Sequence, residues 1–339
     1  MNFNFDRNKI FRYLIIACIA LSIVYLILDL VRKPAIETDH KQITPAFAEA
    51  ELKNLLRNLN FDEKWIKTRK IKKTKRDSIN HLLNISIPTD FPFPVLLNVL
   101  NKKFISYPVE ISSYENMINR KSTLLFKQNG SLILKAVFIN DTSAQRKTNQ
   151  FCFLISDVDK LNIKEIDYLL GLPEKFALLL VPSKASSVIK EKALKKNKQY
   201  FTLFNDDIDE IKYKLDEDYK DDRLIGSIRN IISDFSETKA YCIDMNSDLV
   251  QTPVFNLLQR EFKKRKLPII KLNQFINLSD TEENMLSERI KTLIKNSGKP
   301  LVFKIEAEQF VTIINSLELE ILRGNKLVFP DKVIHQLVK

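Results

Sequence analysis

Residues 151–204 read FCFLISDVDKLNIKEIDYLLGLPEKFALLLVPSKASSVIKEKALKKNKQYFTLF, and the reading of this stretch decides the fold. FCFLI at 151–155 is an unbroken apolar run, too short for a helix and rich in residues that suit a buried strand. Helical spacing follows at 163–170. A second apolar run, FALLLV at 176–181, stops at Pro182 and leads into helical spacing at 185–196. A third run, QYFTLF, closes the stretch at 199–204. Three largely apolar strands separated by two helices imply a parallel sheet buried on both faces, because a parallel connection needs a crossover helix.

The rhythm continues outward to the C-terminus. Apolar runs at 239–243, 268–272, 300–305 and 326–329 alternate with helical segments centred near Arg229, Leu258, Ile290 and Ile313. Seven such strands suit either a barrel or an open doubly wound sheet. Ser156-Asp157-Val158-Asp159 stands where a dinucleotide fold would place its glycine-rich phosphate loop, so that fold is disfavoured.

Upstream the pattern differs. Residues 45–59 carry Ala48, Leu52, Leu55, Leu56 and Leu59 on one helical face. Strands are expected at 82–87 and 107–112, with a proline-initiated helix at 92–100 between them. Asn129-Gly130 joins runs 122–128 and 131–138 and is a strong hairpin signal. Residues 45–142 therefore read as a small α+β domain. The polar, aperiodic segment 141–149 reads as its boundary with a second domain, 150–339.

Residues 13–31, YLIIACIALSIVYLILDLV, contain one charge, Asp29. At about 1.5 Å per residue they span about 28 Å, close to a bilayer's hydrocarbon core. Arg32-Lys33 follow in place of a small-residue cleavage site, which favours an uncleaved anchor over a signal peptide. Arg7, Lys9 and Arg12 give the preceding flank the larger basic excess, so residues 1–12 are expected in the cytoplasm. Residues 32–44 form a linker, and the bulk is expected on the periplasmic or extracellular side of the inner membrane.

The 54 lysines and arginines outnumber 42 acids, for a net charge of +12, but only residues 67–76 (KTRKIKKTKR) concentrate it. This run reads as a solvated strand pair or as an attraction for anionic lipid or polymer. No aromatic-basic interleaving supports nucleic acid as a partner. Cys18, Cys152 and Cys242 lie in apolar runs and read as small buried hydrophobes. Trp65 could stack on a sugar, although its position favours closing the first domain's core.

The segment order over 151–337 resembles the divergent polysaccharide deacetylase family, relatives of the NodB-type carbohydrate esterases. FLISDVD resembles the family's first strand and its Asp-Asp-Phe-Gly end. GLPEKFALLLVPSKASSVIKEKALKKNKQYFTLF resembles the segment joining its first three strands. YCIDMNS resembles a strand ending in Asn-His-Met-Gly-Ser, and LVFPDKVI resembles the closing strand. The first domain resembles the small α/β domain that precedes some members. The resemblance implies an α/β fold, with a NodB-like (β/α) barrel behind that small α+β domain; the apolar span 13–31 adds one N-terminal transmembrane helix. It also implies a metal, held by an aspartate and histidines at strand ends, that activates a water.

This chain departs from the pattern at those positions. Ser156 replaces the first Asp of the pair and Asp157 keeps the second. Asp244 stands for a histidine, with Asn246 for the glycine after it. Ile305 stands for another histidine, Leu203 for a third, and Lys271-Leu272-Asn273 for an Asp-Ser-Arg segment. The chain's three histidines, His40, His81 and His335, occupy no expected strand end.

Carboxylates nonetheless follow several strands: Asp157 and Asp159, Asp206 and Asp207, Asp244 and Asp248, Glu306 and Glu308. They read either as helix-capping acids or as an oxygen-only site for a cation or for glycoside hydrolysis. Asp157, Asp244 and Glu306 are the catalytic candidates, and Asp157 and Asp244 the metal candidates. The expectation is a pseudoenzyme: a membrane-anchored envelope module that binds a glycan or a protein and has no cofactor. The alternative is a carbohydrate hydrolase or deacetylase that uses the carboxylates.

Overall fold

The computed structural model describes residues 21–22, 43–72, 79–116 and 121–337. Most of the 13–31 span, most of the linker including His40, and the last four residues of the basic run, 73–76, lie outside the described residues. Among the described residues no helix is long and apolar enough to cross a membrane.

The first unit is built on five strands. Helix α1 (Pro45–Asn58) begins where Thr44 accepts a hydrogen bond from the Phe47 amide and Pro45 fills the first turn. Strands β1 (Ile66–Lys70) and β2 (His81–Pro88), helix α2 (Phe93–Phe104) and strands β3 (Glu110–Asn116), β4 (Lys121–Gln128) and β5 (Ser131–Asp141) follow. The order is β1-β2-β5-β4-β3, with only the β2–β5 pair parallel. Asn129 and Gly130 both have positive φ, 51° and 76°, the backbone of a tight hairpin. Leu52 and Leu56 of α1 and Leu96 and Leu100 of α2 pack on Leu83, Ile85, Phe126 and Phe138.

One expectation shifts. The strand expected at 107–112 begins only at Glu110, because Pro108 has no N–H to offer a ladder. The start of the basic run is the edge strand β1, antiparallel to β2 with Lys67 to Lys70 exposed. A lysine-rich edge discourages pairing with another chain.

The second unit alternates strand and helix. Its elements are β6 (Gln150–Ser156), α3 (Ile163–Gly171), β7 (Ala177–Leu180), α4 (Lys184–Lys195), β8 (Gln199–Phe204), α5 (Asp221–Asp234), β9 (Tyr241–Ile243), α6 (Pro253–Lys264), β10 (Ile269–Lys271) and β11 (Ile276–Asn277). Then come α7 (Glu283–Asn296), β12 (Leu301–Glu306), α8 (Ala307–Ile313), α9 (Glu318–Leu322), β13 (Lys326–Leu327) and α10 (Pro330–Leu337). All pairings are parallel, in the order β10-β9-β8-β7-β6-β12-β11, with β13 beside the start of β6.

This sheet must curl. Its edges β10 and β11 are consecutive in the chain, separated by the turn Leu272–Gln274. Five residue steps reach at most about 17 Å, whereas seven strands laid flat would put the edges about 29 Å apart. The expected seventh strand, 326–329, is only the two-residue β13 against the start of β6. The strand that completes the curl beside β6 is β12, with Glu306 opposite Ser156.

Alternation sorts the side chains. Phe151, Phe153, Ile155, Phe303 and Ile305 face the helices. Cys152, Leu154, Leu179, Phe201, Leu203, Cys242 and Val302 fill the concave interior, joined by Val333 and Ile334 of α10. Helix α10 follows β13 and so plugs the strand-start end. Burial pushes both interior thiols well above the ordinary cysteine range.

Segment 141–149, the polar stretch between the two units, is packed against both of them. Ala144 and Arg146 are buried. The Arg146 guanidinium donates to the Leu322 carbonyl at 2.6 Å, to the Leu59 carbonyl at 3.3 Å and to Asp90 Oδ2 at 2.7 and 3.1 Å, and lies over the Phe91 ring. Arg323 Nε reaches back to the Asn58 carbonyl at 2.8 Å, and Asn60 Nδ2 to the Arg323 carbonyl at 3.1 Å.

Candidate functional site

In a parallel α/β sheet the strand ends form the face where ligands are held. Strand β6 delivers Ser156, Asp157 and Asp159 there. Ser156 is buried, with its Oγ 3.5 Å from the Ile305 carbonyl. Asp157 breaks the strand with φ 57°, a left-handed conformation that Asp tolerates better than most residues. The turn Val158–Lys160 then brings Lys160 back, and its Nζ lies 2.6 Å from Asp157 Oδ1.

That contact sets the electrostatics of the mouth. Burial works to raise the Asp157 pKa. Hydrogen bonds from Lys160 and Ser156, and the positive charges of Lys160 and Lys304, outweigh it and hold the carboxyl below its ordinary value. The Lys160 ammonium is correspondingly raised, first by Asp157, with Glu306 and Asp159 adding to it. Asp157 is therefore a carboxylate with a built-in counter-ion.

The other candidates are dispersed. Asp244 ends β9, three strands away from β6, or about 14 Å along the sheet at ordinary spacing. Its Oδ1 accepts the Asn246 backbone amide at 3.0 Å, a local Asx turn. Glu306 ends β12 opposite Ser156 and stands at the start of α8 without capping it through its side chain. Asp206 is a structural acid. It accepts Ser247 Oγ at 2.7 Å and the amides of Asp248 and Leu249 at 2.8 and 2.7 Å. Burial opposes its ionisation, but these bonds hold its pKa down. Asp207 accepts Asn205 Nδ2 at 2.5 Å, while Asp159, Asp248 and Glu308 are exposed.

The implied metal does not fit this donor set. Among the described residues no three His, Cys, Asp or Glu side chains gather closely enough to hold an ion. Ile305 cannot coordinate and, by strand alternation, faces the helix layer. Leu203 lies in the apolar interior, and at 271–273 Leu272 is buried while Lys271 and Asn273 are exposed. His81 is on β2 in the first unit, its Nε2 2.7 Å from Glu49 Oε2. His335 belongs to α10 at the opposite end of the strands, and its side chain lies outside the described residues.

Sequence reasoning missed Lys160 and Lys304. Lys160 is three residues from Asp157, which is a legible signal. Lys304 became a mouth residue only when the register placed positions 302, 304 and 306 on the inner face.

The chain matches no protein-family model and no curated protein. Solved structures similar to it include a CE4 family pseudoenzyme from Bacillus anthracis, with 10% identity, 70% of this chain and 94% of that one covered, and a TM-score of 0.38. A mutant of the same protein with restored enzymatic activity has 9% identity, 70% and 97% coverage and a TM-score of 0.38. The family 4 carbohydrate esterase PdaA of Bacillus subtilis has 9% identity, 80% and 98% coverage and a TM-score of 0.33. At such scores the likeness assigns no chemistry to individual residues here.

Proposed function

We propose that the chain is a membrane-anchored envelope protein whose curled parallel sheet is a NodB-like barrel without metal-water chemistry, serving as a non-catalytic module that binds an envelope glycan or protein. The observation that carries this reading is the Asp157–Lys160 pair at 2.6 Å. The one carboxylate that the family pattern retains already has an ammonium partner, and a cation arriving there competes with that ammonium. Asp244 and Glu306 stand on other strands, each in its own local setting, so the acids do not act as a unit. The anchor is the apolar span 13–31, with the bulk outside the cytoplasm.

Calorimetric titration of the full-length chain with Zn²⁺ tests the mouth. The expected result is no saturable site that Asp157→Asn removes. Stoichiometric micromolar binding that this substitution abolishes would overturn the reading. Protease added to intact spheroplasts tests the topology: residues 45–339 should be digested, and full protection until lysis would reverse it.

A further inference from the structure

A cleft of about 680 Å³ lies between the two units, within the ~300–1,000 Å³ range typical of small-ligand sites. Arg57, Asp62 and Trp65 line it from the first unit, Gln145, Lys147 and Asn149 from the connecting segment, and Lys295, Glu320 and Arg323 from the second unit; Glu320 is already paired with Arg323, so the cationic groups outnumber the acids. Asn149 directly precedes β6, so the cleft opens at the strand-start end, away from the mouth that bears Asp157.

Its walls are fixed before any ligand arrives. Arg323 ties to the Asn58 carbonyl at 2.8 Å, Asn149 Nδ2 to the Ile294 carbonyl at 2.6 Å, and Arg57 to Glu63 at 2.6 Å. Groups held this way lose little freedom on binding. Other groups in the cleft are unspent. Lys147 and Lys295 are exposed and, among the described residues, have no ion-pair partner; Gln145 is exposed too. Trp65 is half-buried: its ring meets Phe61 edge-on at 5.9 Å, and its indole N–H has no acceptor among the described residues.

We propose that this cleft binds a carboxylated saccharide. An aromatic ring beside amides suits a ligand that has both an apolar C–H face and hydroxyls. The two lysines without counter-ions call for an anion in the same ligand, and a sugar carboxylate supplies it. The cleft has no glycine-rich loop of amides to cradle a phosphate. The proposal rests on the reading of the chain as a binding module and gives that module a site and a ligand class.

Trp65 is the chain's one tryptophan, so its fluorescence reports on this cleft alone. The full-length chain would be titrated with tetragalacturonate, neutral chitotetraose and inorganic phosphate. The expected result is a saturable change in emission with tetragalacturonate, at least tenfold weaker binding of the neutral sugar, and no competition by equimolar phosphate. The double variant Lys147→Glu/Lys295→Glu, exposed at both positions, should weaken tetragalacturonate binding tenfold or more with an unchanged melting temperature. No emission change together with no calorimetric heat would overturn the proposal. So would equal binding of the neutral sugar, full competition by phosphate, or undiminished affinity in the double variant. These results are independent of the Zn²⁺ titration, which can fail or succeed separately.

Discussion

Replacing Arg146 by alanine should loosen the joint between the two units and cost about 3 kcal/mol. The side chain is 2% exposed, and its guanidinium serves both units at once. The 2.6 Å bond to the Leu322 carbonyl is charge-assisted and worth about 2 kcal/mol, and the 3.3 Å bond to Leu59 about half that. Asp90 is 38% exposed, so water replaces much of its lost partner, and that pair adds only about 0.5 kcal/mol. Water entering the vacated space returns some of this sum, which leaves about 3 kcal/mol. For a chain of this size that corresponds to a fall in melting temperature of about 4–5 °C. Arg146→Lys keeps the charge but not the planar fork that reaches both carbonyls and Asp90, and it should recover less than half of the loss. Thermal unfolding followed by circular dichroism gives the magnitude, and limited proteolysis gives the place, with a new early cut in 141–149. A loss under about 1 °C with no new cut would refute the argument that Arg146 locks the units together.

Three further outcomes follow from local geometry. Gly324 has φ 97°, and a Cβ there would stand 2.8 Å from Thr148 Cγ2 and 2.9 Å from Arg146 Cζ; Gly324→Ala should therefore destabilise by about 2 kcal/mol in chemical denaturation, and a neutral effect would contradict the packing. Lys160→Met should raise the carboxyl pKa of Asp157, read by carbon NMR, because burial remains while the ammonium is gone; no rise would show that the pair is not formed in solution. Glu261 of α6 is held down to about 2, first by its hydrogen bond from Lys264 and then by Arg265. A depressed acid stabilises above its unfolded pKa and loses that contribution as pH falls through the folded value. The melting-temperature gap between the wild type and Glu261→Gln should therefore be full at pH 7, shrink below about pH 4.5, and be largely gone near pH 2. A gap that is constant across this range would contradict the assignment.

Long apolar runs were legible in the sequence because a strand buried on both faces leaves no polar alternation to confuse it. FCFLI, FALLLV and QYFTLF all lie on strands of the curled sheet, and Asn129-Gly130 turned where its backbone freedom required. Short elements were not legible. Strand β11 is two residues long and held by pairing with β12, and 326–329 looked like a strand because Leu327 and Val328 are apolar. Segment 141–149 reads as a domain boundary, but its polar residues gave no sign that Arg146 would be buried by partners 56 to 176 positions away. At the mouth, composition alone named Asp157, Asp244 and Glu306 as acids after strands. It could not say that Asp157 would fold onto Lys160, nor that strand alternation would turn Ile305 away.

The most direct test of the proposed loss of catalysis is acetate release from acetylated chitooligosaccharide and from peptidoglycan by the full-length chain, with Zn²⁺, Mn²⁺, Co²⁺ or Ca²⁺ supplied. A metal-bound water needs several ligands acting together, and losing members of such a unit removes most of its effect. The expected result is release no faster from the wild type than from Asp157→Asn with any of the four metals. Metal-dependent release that disappears in Asp157→Asn would contradict it and make the Asp157 mouth an active site.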